Sequence, residues 1–244
     1  MTSAWRGPVV VGGSGGSGTR ALAAVLRELG VFLGGELNPE LDSIPIGLYD
    51  IEWGPRYLAT GGAPARMKLD FAAALLRHMR PIPRVGSAWG WKHPQSYLQL
   101  PLIARRFPRL RFIHVVRDGR DMALSDNRNQ LDLYGPAVFG REPQATPQEM
   151  VGFWSWANLR VAQQGERLGG RYLAVRLEDL CADPAREVAR ISAFAGCAGS
   201  IDAALDSVQA PASLGRWRAL PQASIDQLEA IGAPALRRFG YLSG

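Results

Sequence analysis

Apolar positions along the chain change period in a regular way. Pro8, Val9, Val10 and Val11 form a short, mostly β-branched run, the pattern of a buried strand. Seven residues follow, 12–18, of which five are glycine. From Thr19 the period lengthens: Leu22, Val25, Leu26 and Leu29 share one helical face, and Gly30 stands where a helix stop is expected. The segment therefore predicts strand, glycine-rich turn and helix. Backbone N–H groups of such a turn point outward, backed by the positive end of the helix dipole, so the loop is expected to bind a phosphate-like anion.

The same alternation continues. Residues 42–62 carry scattered aromatics without clear periodicity and are expected to be irregular or short-helical, facing substrate. Met67, Phe71, Ala74, Leu75 and His78 make one stripe of an amphipathic helix over 66–79, terminated by Pro81 and Pro83, with His78 packed rather than liganding. Residues 89–92 read as a strand ending in His93-Pro94, and 95–107 as helical with a break at Pro101. Residues 111–116 are the strongest strand, with His114 buried inside it. A loop or lid is expected over 133–146, a helix from Pro147, a strand over 171–177 and one helix over 178–194. A polar stretch around 213–218 precedes a closing helix from Pro221. Strands alternating with helices predict an α/β fold: one domain over 1–244, with a mostly parallel central sheet flanked by helices on both faces.

Composition narrows the classes. The chain has 244 residues, of which 47% are hydrophobic, enough for one substantial core. No apolar run reaches the length of a membrane span, and residues 1–8 are too short and mixed for a signal peptide. Cys181 and Cys197 have no metal-ligand spacing, and with three scattered histidines no metal site is expected. Both thiols read as packing residues in a reducing, cytoplasmic compartment. The net charge of +6, carried by arginine far more than lysine, suggests an anionic ligand. The arginines are spread along the chain without a basic run or an RNA-binding signature, which favours a polyanionic cofactor over nucleic acid.

The glycine loop does not identify its ligand by itself. Gly13, Gly15 and Gly18 match a dinucleotide fingerprint, with Glu36 near the place of its ribose-binding acid. Gly13 and Gly18 also have P-loop spacing, but Thr19-Arg20 stands where Lys-Ser/Thr is required, which counts against an ordinary ATPase or kinase. A second pair is more informative. Arg117 leaves the strong strand and Ser125 lies eight residues on, two turns into the next helix, so both can converge on one phosphate. A dehydrogenase has no use for this pair, whereas a cofactor with a second, separate phosphate does.

On these residues the chain resembles the sulfotransferases that use 3′-phosphoadenosine 5′-phosphosulfate (PAPS) and release 3′-phosphoadenosine 5′-phosphate (PAP), and it is similar to their bacterial members. Gly15-Gly16-Ser17-Gly18-Thr19-Arg20-Ala21-Leu22 resembles their 5′-phosphosulfate loop, and the stretch from Val116 to Ser125 their 3′-phosphate motif. Residues 172–180 resemble the late strand and turn leading past the adenine, and Gly215-Arg216-Trp217-Arg218 the loop that covers the cofactor. The resemblance covers nearly the whole chain and implies a P-loop-NTPase-like sulfotransferase fold. It also implies a 5′-phosphate held by Gly15, Gly16, Ser17, Gly18, Thr19 and Arg20, and a 3′-phosphate held by Arg117, Ser125 and Arg216, with Trp217 beside it.

Two departures stand out. Many members place a lysine or arginine at the position of Gly16, so Lys92 or Arg20 must supply that charge here; the aromatic that often precedes Glu178 is here Leu177. Lys92 is the expected stabiliser of the sulfuryl oxygens. For the general base the resemblance offers Glu36, nineteen residues after Ser17 as in tyrosylprotein-type members, then His93, then Asp42. The expected activity is in-line sulfuryl transfer to the hydroxyl of a small alcohol, phenol or carbohydrate, without a metal, a nucleic-acid partner or a membrane span. The alternatives are a nicotinamide-dependent oxidoreductase of Rossmann type and a non-catalytic nucleotide- or anion-binding protein.

Overall fold

The computed structural model describes residues 7–80, 88–197 and 199–243. In chain order the elements are β1 (Val9–Gly13), α1 (Thr19–Glu28), α2 (Ile44–Thr60), α3 (Ala65–Met79) and β2 (Gly90–Lys92). A short 3₁₀ segment then leads into α4 (Leu100–Arg106), β3 (Arg111–Val116), α5 (Gly119–Ala123), α6 (Asn129–Phe139), α7 (Pro147–Glu166) and β4 (Tyr172–Arg176). The chain closes with α8 (Leu177–Ala182), α9 (Pro184–Ala195), α10 (Ile201–Asp206) and α11 (Gln222–Arg238).

The four strands form one parallel sheet in the order β2-β1-β3-β4. Both faces are covered, so strand residues are apolar at odd and even positions alike. Val9 and Val11 pack with Leu22, Leu26, Ile113 and Val115 on the side of α1 and α9. Val10 and Phe112 face an aromatic layer of Trp91, Tyr97 and Phe71 on the other. The register pairs Val11 with Lys92 and Gly13 with Val115, which brings the carboxyl ends of β1, β2 and β3 to one edge. Ligands of open parallel sheets bind at that edge.

Three local expectations are corrected. Residues 42–62 are not irregular: α2 runs for 17 residues from an extended Ser43, with Pro45 in its first turn. Its stability comes from burying Ile46, Tyr49 and Tyr57 against α3 and the aromatic layer, a tertiary cause that periodicity does not display. Of the expected lid over 133–146, the first half is the end of α6, capped by Gly140 with φ 67°, and only the second half is loop. The single helix over 178–194 is two helices, divided at Asp183-Pro184, where the Asp183 side chain accepts from the Arg186 N–H at 3.1 Å. Pro81 and Pro83, and the N-terminal stretch read as lacking a signal peptide up to Arg6, lie outside the described residues.

His114 is structural, as expected. It is fully buried in β3, with Nδ1 2.8 Å from the Tyr172 hydroxyl and Nε2 2.8 Å from Asn158 Oδ1. Burial holds its pKa down to about 4. Because the unfolded chain takes up this proton near the ordinary imidazole value and the folded chain does not, His114 adds stability above that value that is lost as pH falls toward 4. Urea unfolding at pH 7 and pH 5 is expected to differ by about 2 kcal/mol from this residue. His114→Gln should shrink that difference; an unchanged slope would remove His114 as its source.

Candidate functional site

The glycine loop is pinned from beneath. The Ser17 hydroxyl donates to the Val115 carbonyl at 3.2 Å and its backbone N–H to the Ser14 carbonyl at 3.0 Å. Both donors of Ser17 are thus spent inside the fold, and the residue is fully buried. Gly16 and Gly18 have φ of 90° and 96°, values that a side chain would strain. Gly18 caps α1 without a side chain, and no acidic residue lies in the first turn. The first amides of α1 are therefore left for an external anion, with the helix dipole behind them.

Above this loop opens a cavity of about 750 Å³. Gly15, Gly16, Gly18, Thr19 and Arg20 line one wall; Lys92 from the end of β2, Arg117 from the end of β3, Ser125 and Arg216 line the others. Nine of the residues singled out from the sequence thus meet in one place. Leu177, which replaces an aromatic, also lines the cavity, and its Cδ1 would lie 2.6 Å from a Cβ on Gly18. Ser17, Glu36, His93 and Trp217 do not line it.

The arginine wall is held by a residue the sequence reading did not single out. The Asp121 carboxylate, 1% exposed, accepts from Arg117 Nη2 at 3.0 Å and from the backbone N–H groups of Gly215 at 2.7 Å and Trp217 at 3.1 Å. Arg117 also donates to the Ser213 carbonyl and, through Nη1, to the Gly16 carbonyl at 3.4 Å. Arg216 Nη2 donates to the Asp121 backbone carbonyl at 2.9 Å, while Arg216 Nε is buried without a partner. Trp217 lies under Arg120, whose guanidinium carbon is 3.5 Å from the ring centroid. The i, i+4 spacing of Arg117 and Asp121 was the available signal.

Lys92 is 2% exposed; its Nζ lies 2.6 Å from Asp42 Oδ1 and donates to the Glu40 carbonyl at 2.8 Å. Burial pushes the ammonium pKa down, and Asp42 opposes that shift. The following His93 turns to the opposite side, with Nδ1 2.7 Å from Asp50 Oδ2. Asp50 is buried and also accepts from the Ser96 hydroxyl at 2.9 Å and Gln99 Nε2 at 2.7 Å. A carboxylate there assigns the proton to Nδ1, leaving Nε2 as the basic atom. Gly47 faces it: a Cβ at that position would lie 3.0 Å from Nε2.

Glu36 is placed elsewhere. It is 41% exposed at its side chain and held by two donors of Arg77 on α3, which lower its pKa chiefly by hydrogen bonding. Among the aromatic residues, Tyr57, Trp89 and Trp154 are buried in the core. Trp53 donates to Asp70, and Trp156 lies in a groove beside Arg160 and Arg238. Among the described residues no group of three His, Cys, Asp or Glu side chains is placed to hold a metal ion, and no helix is long and apolar enough to cross a membrane.

Comparison with known proteins adds to this geometry. A sequence model of the sulfotransferase family matches residues 8–200. No curated protein sequence matches the chain. Among solved structures, the chain is similar to the sulfotransferase domain of the olefin synthase of Synechococcus PCC 7002, with a TM-score of 0.54 and 19% identity over 94% of this chain and 97% of that one. It is similar to sulfotransferase STF9 of Mycobacterium avium, with a TM-score of 0.60 and 14% identity over 96% and 76%. It is also similar to mouse sulfotransferase SULT7A1, a structure complexed with PAP, with a TM-score of 0.57 and 15% identity over 95% and 85%.

Proposed function

Because the chain belongs to the sulfotransferase family, we propose that it transfers a sulfuryl group from PAPS to the hydroxyl of a small alcohol, phenol or carbohydrate. The observation that carries the choice of cofactor is the meeting of the α1 amides with Arg117, Ser125 and Arg216 in one cavity. That arrangement offers two sets of anion donors to one ligand. The residues fit such a ligand: Arg216 Nε is a buried donor without an acceptor, and the cavity volume is in the range of nucleotide-sized sites. The oxidoreductase alternative loses its main support, since Glu36 does not line the cavity where a ribose would bind.

When bound, PAPS supplies a sulfuryl group attached to a phosphate that can leave. The amides of Gly18, Thr19 and Arg20, with the Thr19 and Arg20 side chains, hold the 5′-phosphate end. Arg117, Ser125 and Arg216 hold the 3′-phosphate. Lys92 stands at the end of β2 as the buried cation that neutralises charge developing during transfer, the role vacated at Gly16. His93 stands outside the cavity lining, on the α2 side of β2, and takes the proton at Nε2 from an acceptor hydroxyl that enters from that side, with Asp50 behind it. Of the three candidate bases it alone has its basic atom unengaged by a cation: Glu36 is paired with Arg77 and Asp42 with Lys92. Cys181 and Cys197 are not joined in a disulfide, which supports a reducing, cytoplasmic setting.

Calorimetric titration with PAP, ADP and NAD tests the cofactor. PAP is expected to bind at least tenfold more tightly than ADP or NAD, because a 3′-phosphate gains charge-assisted hydrogen bonds from the arginines. Equal binding of ADP, or a preference for NAD, would overturn the assignment. Radiolabelled sulfuryl transfer across small hydroxyl compounds and tyrosine peptides tests the acceptor class, and a preference for the peptides would refute it.

A further inference from the structure

We infer that Asp121 is the positioning residue that assembles the 3′-phosphate site, by clamping Arg117 and the 213–217 loop to one buried carboxylate. The inference rests on the PAPS reading above and names a residue that reading does not need.

Arg117 and Arg216 are 99 positions apart in the chain and come from different elements, the end of β3 and the C-terminal loop. Neither can be placed by local structure alone. Asp121 addresses both. Its Oδ2 takes the Nε and Nη2 edge of Arg117, at 3.3 and 3.0 Å, and the Gly215 N–H. Its Oδ1 takes the Trp217 N–H, and its backbone carbonyl takes Arg216 Nη2. A guanidinium has donors on separate edges. With one edge held by Asp121, Arg117 keeps Nη1 toward the Gly16 carbonyl and the glycine loop. Arg216, held at Nη2, keeps its buried Nε unpaired. The carboxylate thus orients Arg117 directly and Arg216 through the backbone of 215 and 217 on either side of it, while its own charge is enclosed by Arg117 and two backbone amides, so it does not confront an incoming phosphate. Without it, each arginine retains its charge and loses its direction.

The backbone of the loop is shaped for this contact. Gly215 has φ 78°, which presents its N–H to Asp121, and a Cβ there would lie 2.1 Å from Arg218 Nη1. A side chain at 215 must take up this left-handed conformation and displace the end of Arg218, which disfavours the loop shape that meets the carboxylate.

Titration of Asp121→Asn with PAP and with ADP reads the role. The expected result is a loss of PAP affinity of about 10–100-fold, as hydrogen bonds to a charged group are lost, with ADP affinity unchanged. In an Arg117→Ala background the Asp121→Asn change should cost clearly less than in the unaltered protein, because only its hold on the 213–217 loop remains to be lost. Gly215→Ala, on a part-exposed loop away from the sheet, should give the same selective loss, and it serves where Asp121→Asn does not fold. A merely structural Asp121 would lower the melting temperature and weaken both nucleotides alike, or show full additivity with Arg117→Ala; either result overturns the inference. Failure of the unaltered protein to distinguish PAP from ADP would instead overturn the cofactor reading on which it stands.

Discussion

Lys92→Ala is expected to lower kcat by about 10²–10³-fold, the loss typical when a pre-placed donor to developing charge is removed. The size follows from where the lysine is. It is 2% exposed, so its charge acts at low effective dielectric, and the structure holds it in place through Asp42 and the Glu40 carbonyl. Removing it also leaves the Asp42 carboxylate facing the cavity unopposed, which adds repulsion where negative charge develops. Lys92→Ala with Asp42→Asn should therefore recover part of the lost rate. Arg20 is the comparison, since it is the other cation able to replace the charge missing at Gly16. Its side chain is exposed, and Arg20→Ala should cost far less in kcat. A larger loss from Arg20→Ala than from Lys92→Ala, measured as kcat with saturating PAPS, would transfer the role to Arg20.

His93→Gln is expected to lower kcat by about 10²–10⁴-fold, the usual range for loss of a general base. Asp50→Asn should reproduce much of that loss with KM little changed. The asparagine amide that replaces one carboxylate oxygen can donate toward Nδ1, which drives the imidazole proton onto Nε2 and removes the lone pair that accepts the substrate proton. Thermal melts are needed beside the kinetics, because Asp50 also holds Ser96 and Gln99. Glu36→Gln should stay within a few-fold of the unaltered enzyme, since exposed ion pairs such as Glu36 with Arg77 contribute little. The reverse pattern, with Glu36→Gln inactive and His93→Gln active, would make Glu36 the base.

The site was unevenly legible in the sequence. The strand, glycine turn and helix of 8–30 could be read because each part is local: β-branched residues, missing Cβ atoms and a 3.6-residue period within one short window. Arg117 and Ser125 were legible as a pair, although Ser125 lies just past the end of the short α5 and not two turns into a helix as expected. The surroundings of Ser17 were less legible for the opposite reason. A serine in such a loop looks like a phosphate donor, and only the approach of β3 directs its hydroxyl to the Val115 carbonyl. Glu36 matched a spacing, but spacing does not record that α3 brings Arg77 to it. α2 was missed because its period is blurred by apolar residues that stay exposed, Leu48 and Ile51, and by Pro45 and Pro55.

By itself, the sequence determined the layered α/β arrangement, the glycine turn and the basic residues that meet above it, because these follow from periodicity, backbone freedom and charge acting over a few residues. Only the tertiary structure decided the pairings: Asp121 with Arg117 and the 213–217 loop, Asp42 with Lys92, Asp50 with His93, and Arg77 with Glu36. Each joins side chains through the packing of elements, or through a backbone turn that distant loops complete. An ionisable group takes its orientation and its free lone pair from the partner that packing supplies, and no window of sequence contains that partner's position.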